Sequence, residues 1–192
     1  MDDSTGLDRI LRAALTLFAR DGTAATTLTA LRREAGVSVG SFYHHFHDKE
    51  EVAAALFTAS LRLYQRGFVA ELRRHPDPGD ALAAMVAFHL DWCGREPERA
   101  RFLFTERRPR PGGPGAAALA EQNRWFFGEI TAWWEIQRHH GALPPLDLTT
   151  ALVLWLGPAQ ELCRLWLAGQ ADAPSAGQAA ALGDAARRVL LP

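Results

Sequence analysis

The densest run of chemically useful side chains is Ser38, Gly40, Ser41, Tyr43, His44, His45, His47 and Lys49. Hydroxyls, imidazoles, an ammonium and a glycine that bares its backbone are groups that meet phosphate oxygens and base edges. No carboxylate stands among residues 38–47 to repel a polyanion. On a helix turning about 100° per residue, with Phe42 at the origin, Phe46 falls at about 40°, Val39 at about 60° and His45 at about 300°. Those positions face a core. Gly40, His44 and His47 fall at about 140–200°, on the opposite side, flanked by Tyr43 at about 100° and Ser41 at about 260°. An ordinary solvated face would carry Glu and Lys, so this composition points to DNA. Lys49 opens the next helix, where its ammonium and the amide N–H groups can meet one phosphate together. The His44-His45-x-His47 run also admits a metal reading. Adjacent residues on a helix diverge by about 100°, however, so one ion does not easily take both His44 and His45, and no metal is expected.

A second group is aromatic: Phe88, Trp92, Phe102, Phe104, Trp125, Phe126, Phe127, Trp133, Trp134 and Trp155, with His89, Asp91, Asn123, Glu129 and Gln137 between them. Any one ring reads as readily as core; together, rings with sparse polar atoms suit an apolar pocket that orients a small molecule. Phe88, Trp92, Trp125, Glu129 and Trp133 are the expected lining. No Ser-His-Asp order, phosphate-cradling Gly loop or carboxylate pair stands out, so neither an enzyme nor a cofactor is expected. Cys93 and Cys163 lie far apart in the chain, outside any CxxC pattern, and read as buried, reduced thiols.

The elements that must position these groups are helices. Of 192 residues 48% are hydrophobic and 22% charged, yet only ten are Val or Ile, too few β-branched residues for a sizeable sheet. The fold class is therefore all-α. An amphipathic stripe predicts a helix from Leu7 to Arg20, ended by Asp21-Gly22 with the glycine in a left-handed cap. Thr26-Thr27 caps a short helix to Ala35, Gly36 breaks it, and Ser38 caps another from Val39 to Phe46. Two short helices around a tight Gly turn have the form of a helix-turn-helix, whose second helix enters the major groove. Asp48 and Glu51 form a capping-box-like pair ahead of a helix that runs to His75-Pro76. Its apolar positions are Val52, Leu56, Ala59, Leu63, Val69 and Leu72, and its roughly 40 Å length can join two bodies. Further helices are predicted at about 80–94, 97–105, 116–139, 146–168 and 175–191, with a mobile loop at 107–115. The organisation is a DNA-binding domain at 1–50, joined by the long helix to a helical ligand-binding and dimerisation domain at 51–192.

The stretch Ala151–Ala159 is apolar on every side, which one internal core would not require. Leu152, Leu156, Leu162 and Trp166, with Leu182 and Val189 on the final helix, are the expected dimer interface, two helices from each chain; Pro158 is expected to kink the first. No secretory signal and no apolar run of about 20 residues is found, so no membrane partner is expected and the compartment reads as cytoplasmic. Net charge is −1 overall. Residues 1–60 carry six basic and eight acidic groups, so affinity that ignores sequence should be modest and binding should rely on placed contacts.

The segments Ala13-Ala14-Leu15-x-Leu17-Phe18-Ala19-x-x-Gly22, Thr26-Thr27-Leu28 and Glu34-Ala35-Gly36-Val37-Ser38-Val39-Gly40-Ser41-Phe42-Tyr43-His44-His45-Phe46-x-x-Lys49-Glu50 resemble the DNA-binding domain of TetR/AcrR-family transcriptional regulators, over about Leu7 to Leu56. The resemblance implies a homodimeric, all-helical regulator of a near-palindromic operator, with a divergent ligand-binding C-terminal domain. Carried over by position, its DNA contacts fall on Thr27, Thr29, Ser38, Val39, Gly40, Ser41, Tyr43, His44, His45 and Lys49. His45 sits on the core shoulder of the helix and would reach sideways to the backbone. Arg32 departs from the small residue usual there, and either turns to solvent or adds a phosphate contact. The expected function is a repressor answering to a small apolar or aromatic effector; the alternative is a DNA-binding regulator controlled by a protein partner or by abundance.

Overall fold

A computed structural model of the chain describes residues 3–105 and 109–192, and among them it has nine helices and no strand. They are α1 (Asp3–Ala25), α2 (Leu28–Ala35), α3 (Val39–His45), α4 (Lys49–Leu72), α5 (Pro78–Arg95), α6 (Pro97–Thr105), α7 (Ala116–His139), α8 (Leu148–Leu167) and α9 (Ala176–Leu190). The all-α expectation holds. The predicted loop at 107–115 falls partly outside the described residues, at Arg107 and Arg108; the rest is a turn in which Gly113 N donates 3.0 Å to Arg110 O.

The chain forms two compact units: one holds Met1–Arg62 and Glu98–Glu121, the other Leu63–Pro97 and Gln122–Pro192. Helix α4 contributes residues to each. In the first unit, the α1 stripe buries Ile10, Ala13, Ala14, Leu17 and Phe18. Phe18 stacks on Phe102 of α6 at 5.8 Å between ring centres, and Phe57 of α4 meets the same ring edge-on at 6.3 Å. This core segment of α6 lies far along the chain from the α1 and α4 rings it meets.

Local capping explains the boundaries. The Thr27 hydroxyl accepts from Ala30 N at 3.1 Å and Ser38 Oγ from Ser41 N at 3.1 Å, giving α2 and α3 the side-chain caps that their orphan N–H groups need. Gly36 ends α2 at φ 60, ψ 37, a left-handed conformation that costs other residues about 1–2 kcal/mol. Gly22 interrupts α1 at φ 79, ψ 155, so its φ is positive but its ψ is not that of the left-handed cap expected there. The Asp48–Glu51 pair is also modified: Asp48 Oδ1 accepts from Glu51 N at 2.8 Å, but the Glu51 carboxylate reaches past Asp48 to accept from His47 N at 2.7 Å.

In the second unit α5 packs against α8 and α9, and α8 against α9. Gly183 of α9 permits this approach: a Cβ there would stand 3.1 Å from that of Ala83. The core gathers Phe68, Leu82, Met85, Ile130, Trp134, Trp155 and Leu190. Trp155 Nε1 donates 2.9 Å to Leu82 O, which satisfies a buried indole. Helix α8 continues through Pro158. Among the described residues no helix is long and apolar enough to cross a membrane.

Candidate nucleic-acid interface

Helices α2 and α3 both pack against α1. The rings of Phe42 and Phe46, at 1% and 6% exposure, anchor α3 from behind, with centres 6.4 Å apart. The opposite flank is open: Tyr43 is 48% exposed, Gly40 and His44 are exposed, and Ser41 is half-buried. The Tyr43 ring stands edge-on to Phe42 at 5.8 Å, which holds it outward. No atom lies within 4 Å of where a Cβ on Gly40 would be, so nothing inside the protomer requires a glycine there.

Val39 corrects the helical wheel. Placed on the core side, it is 54% exposed. It occupies the first position of α3, where side chains lean toward the helix N-terminus, and Val37, 6% exposed, fills the core at that end instead. His45 does lie on the shoulder, half-buried against α1, its Nε2 3.1 Å from where a Cβ on Gly6 would sit. Thr27, Thr29 and Ser38 are exposed at the helix starts, and Arg32 is half-buried. Lys49 Nζ donates to Ala24 O at 2.8 Å and Thr26 O at 2.9 Å, so its ammonium is lodged beside the entrance of α2.

The second unit sorts the expected lining residues. Phe88 lies 5.8 Å from Tyr64 and 5.9 Å from Phe68, Trp92 lies 5.0 Å from Tyr64, and Trp133 stacks on Trp155 at 5.4 Å with planes 26° apart. These three join one aromatic cluster. Trp125 does not: it is 40% exposed. Glu129 is half-buried and ion-paired to Arg73 at 2.6 Å. Two features escaped sequence reasoning. The amide chain Gln122 Nε2 to Gln65 Oε1 (2.9 Å) and Gln65 Nε2 to Asn123 Oδ1 (3.0 Å) is buried between α4 and α7, and Trp134 Nε1 is buried without a hydrogen-bond partner. The signal for the first was the spacing Tyr64, Phe68, Leu72: these line the buried face of α4, whereas Leu63, expected there, is 48% exposed. Burial holds the Tyr64 hydroxyl well above its ordinary pKa. Cys93 and Cys163 are buried as expected, but they are neighbours, and the Cys163 sulfur together with burial holds the Cys93 thiol above its ordinary pKa.

The expected interface residues are mixed in burial. Leu152, Leu162, Trp166 and Leu182 are half-buried and Val189 is 53% exposed, while Leu156, at 5%, is already covered within its own chain. Helix α8 is turned so that Trp155, Leu156 and Ala159 face inward and Val153 and Leu154 face out, at 63% and 39%.

Residues 10–56 match the family model for bacterial regulatory proteins, tetR family. That match covers the N-terminal helices α1–α3 and the start of α4. Solved structures extend the likeness of fold along the whole chain. A TetR family transcription regulator from Marinobacter aquaeolei VT8 is 17% identical with a TM-score of 0.77, covering 98% of this chain and 97% of its own. A TetR-family transcriptional regulator protein of Vibrio parahaemolyticus is 19% identical at TM-score 0.78, covering 97% and 99%. The transcriptional regulator FadR of Bacillus subtilis, solved in complex with stearoyl-CoA, is 17% identical at TM-score 0.72, covering 96% and 97%. The helix-turn-helix described above lies within the matched residues.

Proposed function

We propose that this protein is a TetR-family regulator, a homodimeric, effector-responsive repressor that reads a near-palindromic operator through α3. The observation carrying this reading is the recognition helix itself: Phe42 is buried while Gly40, Tyr43 and His44 stand exposed on a flank without carboxylates. Gly40 is the second residue of α3, and the empty space around it gives no internal reason for a glycine there. Close approach of a DNA backbone supplies one. Gly40, Ser41, Tyr43 and His44 are assigned to base edges and phosphates, Thr27, Thr29, Ser38, Val39 and His45 to the flanking contacts, and Lys49 to a phosphate.

Two such helices, in a dimer, address major-groove segments about 34 Å apart or a multiple of it. The exposed apolar side chains Val153, Leu154 and Val189, with Trp166 and Leu162, support a dimer through α8 and α9. The aromatic cluster around Tyr64 and Phe68, with Trp134 Nε1 as an unused donor, supports a small apolar effector carrying one acceptor; that FadR of Bacillus subtilis was solved with stearoyl-CoA is in keeping with it. A coupling of about 1–3 kcal/mol between effector and operator suffices for control.

The test begins with selection of bound duplexes from a random pool, followed by fluorescence anisotropy on the selected site. Gly40→Ala is expected to keep or raise the melting temperature and to weaken operator binding at least tenfold. Unchanged affinity would remove α3 from the interface. Acyl-CoA thioesters and aromatic compounds are then titrated against the complex, and an effector releases the DNA.

A further inference from the structure

Seventy residues separate Cys93 from Cys163, yet both thiols converge on His89 inside the second unit. The three side chains are each 0% exposed, and one donor atom from each lies within 4.8 Å of the other two. His89 and Cys93 are one helical turn apart on the same face of α5, and Cys163 comes from α8. Cys93 Sγ is 3.9 Å from His89 Nε2. Bond lengths of about 2.3 Å to sulfur and about 2.0 Å to nitrogen set donor atoms around a zinc-like ion roughly 3.5–4 Å apart, so the observed spacing needs only small side-chain adjustments.

The imidazole is also oriented for this. Tyr64 of α4 lies with its hydroxyl 3.0 Å from His89 Nδ1 and its ring edge-on to the imidazole, at 5.8 Å and 89°. With Nδ1–H donating to the Tyr64 oxygen, Nε2 is left unprotonated and turned toward the two sulfurs, as outer partners of ligating histidines do. A packed thiol pair needs no aimed imidazole. Charge selects among ions: two thiolates and a neutral imidazole around a divalent cation sum to zero, which suits full burial, whereas a monovalent ion would leave a net charge in an apolar interior.

We propose that His89, Cys93 and Cys163 bind one thiophilic divalent metal ion of the zinc class per chain, with Tyr64 as the residue that positions His89. Three protein ligands leave a fourth tetrahedral position for a small ligand. The site ties α5 to α8, and it stands independently of the organic effector proposed above.

The experiment uses the full-length protein, reduced and stripped with a chelator. Zinc is added against a chromophoric competitor, stoichiometry is read by native mass spectrometry, and cobalt(II) is substituted as a spectroscopic probe. The expected results are one ion per chain, a near-ultraviolet thiolate-to-cobalt charge-transfer band, and a melting temperature that rises with zinc. Cys163→Ala and Cys93→Ala should abolish all three, and Tyr64→Phe, which leaves every ligand in place, should weaken zinc binding by about 10–100-fold. Absence of the charge-transfer band in the folded wild-type protein overturns the proposal, whatever the folding of the variants. Zinc retained by a folded Cys93→Ala/Cys163→Ala double variant overturns it equally, as does a Cys93–Cys163 disulfide formed on oxidation by a chain that never takes zinc. Operator binding measured on the stripped protein tests the DNA-binding reading separately.

Discussion

Lys49 donates a hydrogen bond of 2.9 Å to the carbonyl of Thr26, the residue immediately before the cap of α2. With the companion bond to Ala24, the ammonium pins the start of α4 to the loop between α1 and α2. The residue expected to meet a phosphate therefore also shapes the motif that presents it. Lys49→Met is expected to lower stability by about 1–3 kcal/mol, the scale of hydrogen bonds to a charged group, in addition to weakening DNA binding. Urea denaturation checks it: an unchanged midpoint would confine Lys49 to the DNA contact.

Tyr43 separates the two effects in the opposite sense. Its ring rests on Phe42 while nearly half of the side chain stays exposed. Tyr43→Phe keeps the ring packing and removes one hydroxyl, so the melting temperature should not move. Operator affinity should fall by about 1 kcal/mol, roughly fivefold. Anisotropy titrations at fixed salt read this, and equal affinities would take Tyr43 out of the interface.

On α8, Trp166 is half-buried and Val153 is exposed. Trp166→Glu places a charge where a partner chain is proposed, and burying an unpaired charge is costly enough to split a dimer. Sedimentation velocity should show a monomer that retains its helical circular dichroism. A dimer persisting in that variant would rule out this face.

Glu71 sets a pH dependence. Its carboxyl is held below the ordinary range, first by the hydrogen bond with His75 (3.1 Å) and then by Arg74 (2.9 Å). Because the folded value lies below the unfolded one, the unfolded chain binds more protons in between, and the contribution is present at neutral pH and lost as pH falls through the folded value. Glu71→Gln should cost about 0.5 kcal/mol near pH 7, the size of a partly exposed helical pair, and nothing at strongly acid pH. Equal costs at both ends would assign the loss to packing.

What the sequence by itself determined is the local part of this molecule. The short helices, their Thr27 and Ser38 caps, the Gly36 stop and the Phe42/Tyr43 division of α3 all follow from spacing and capping within a few residues, where the backbone leaves few choices. Tertiary structure decided what depends on how far each helix is rotated and on which distant segment covers it. Val39 turned outward because Val37 took its place, and Tyr64 rather than Leu63 faced the core. Trp133 found Trp155, Trp125 was left at the surface, and two cysteines seventy residues apart met at His89. A 100° step along one helix specifies a face, but not the neighbour against which that face will pack.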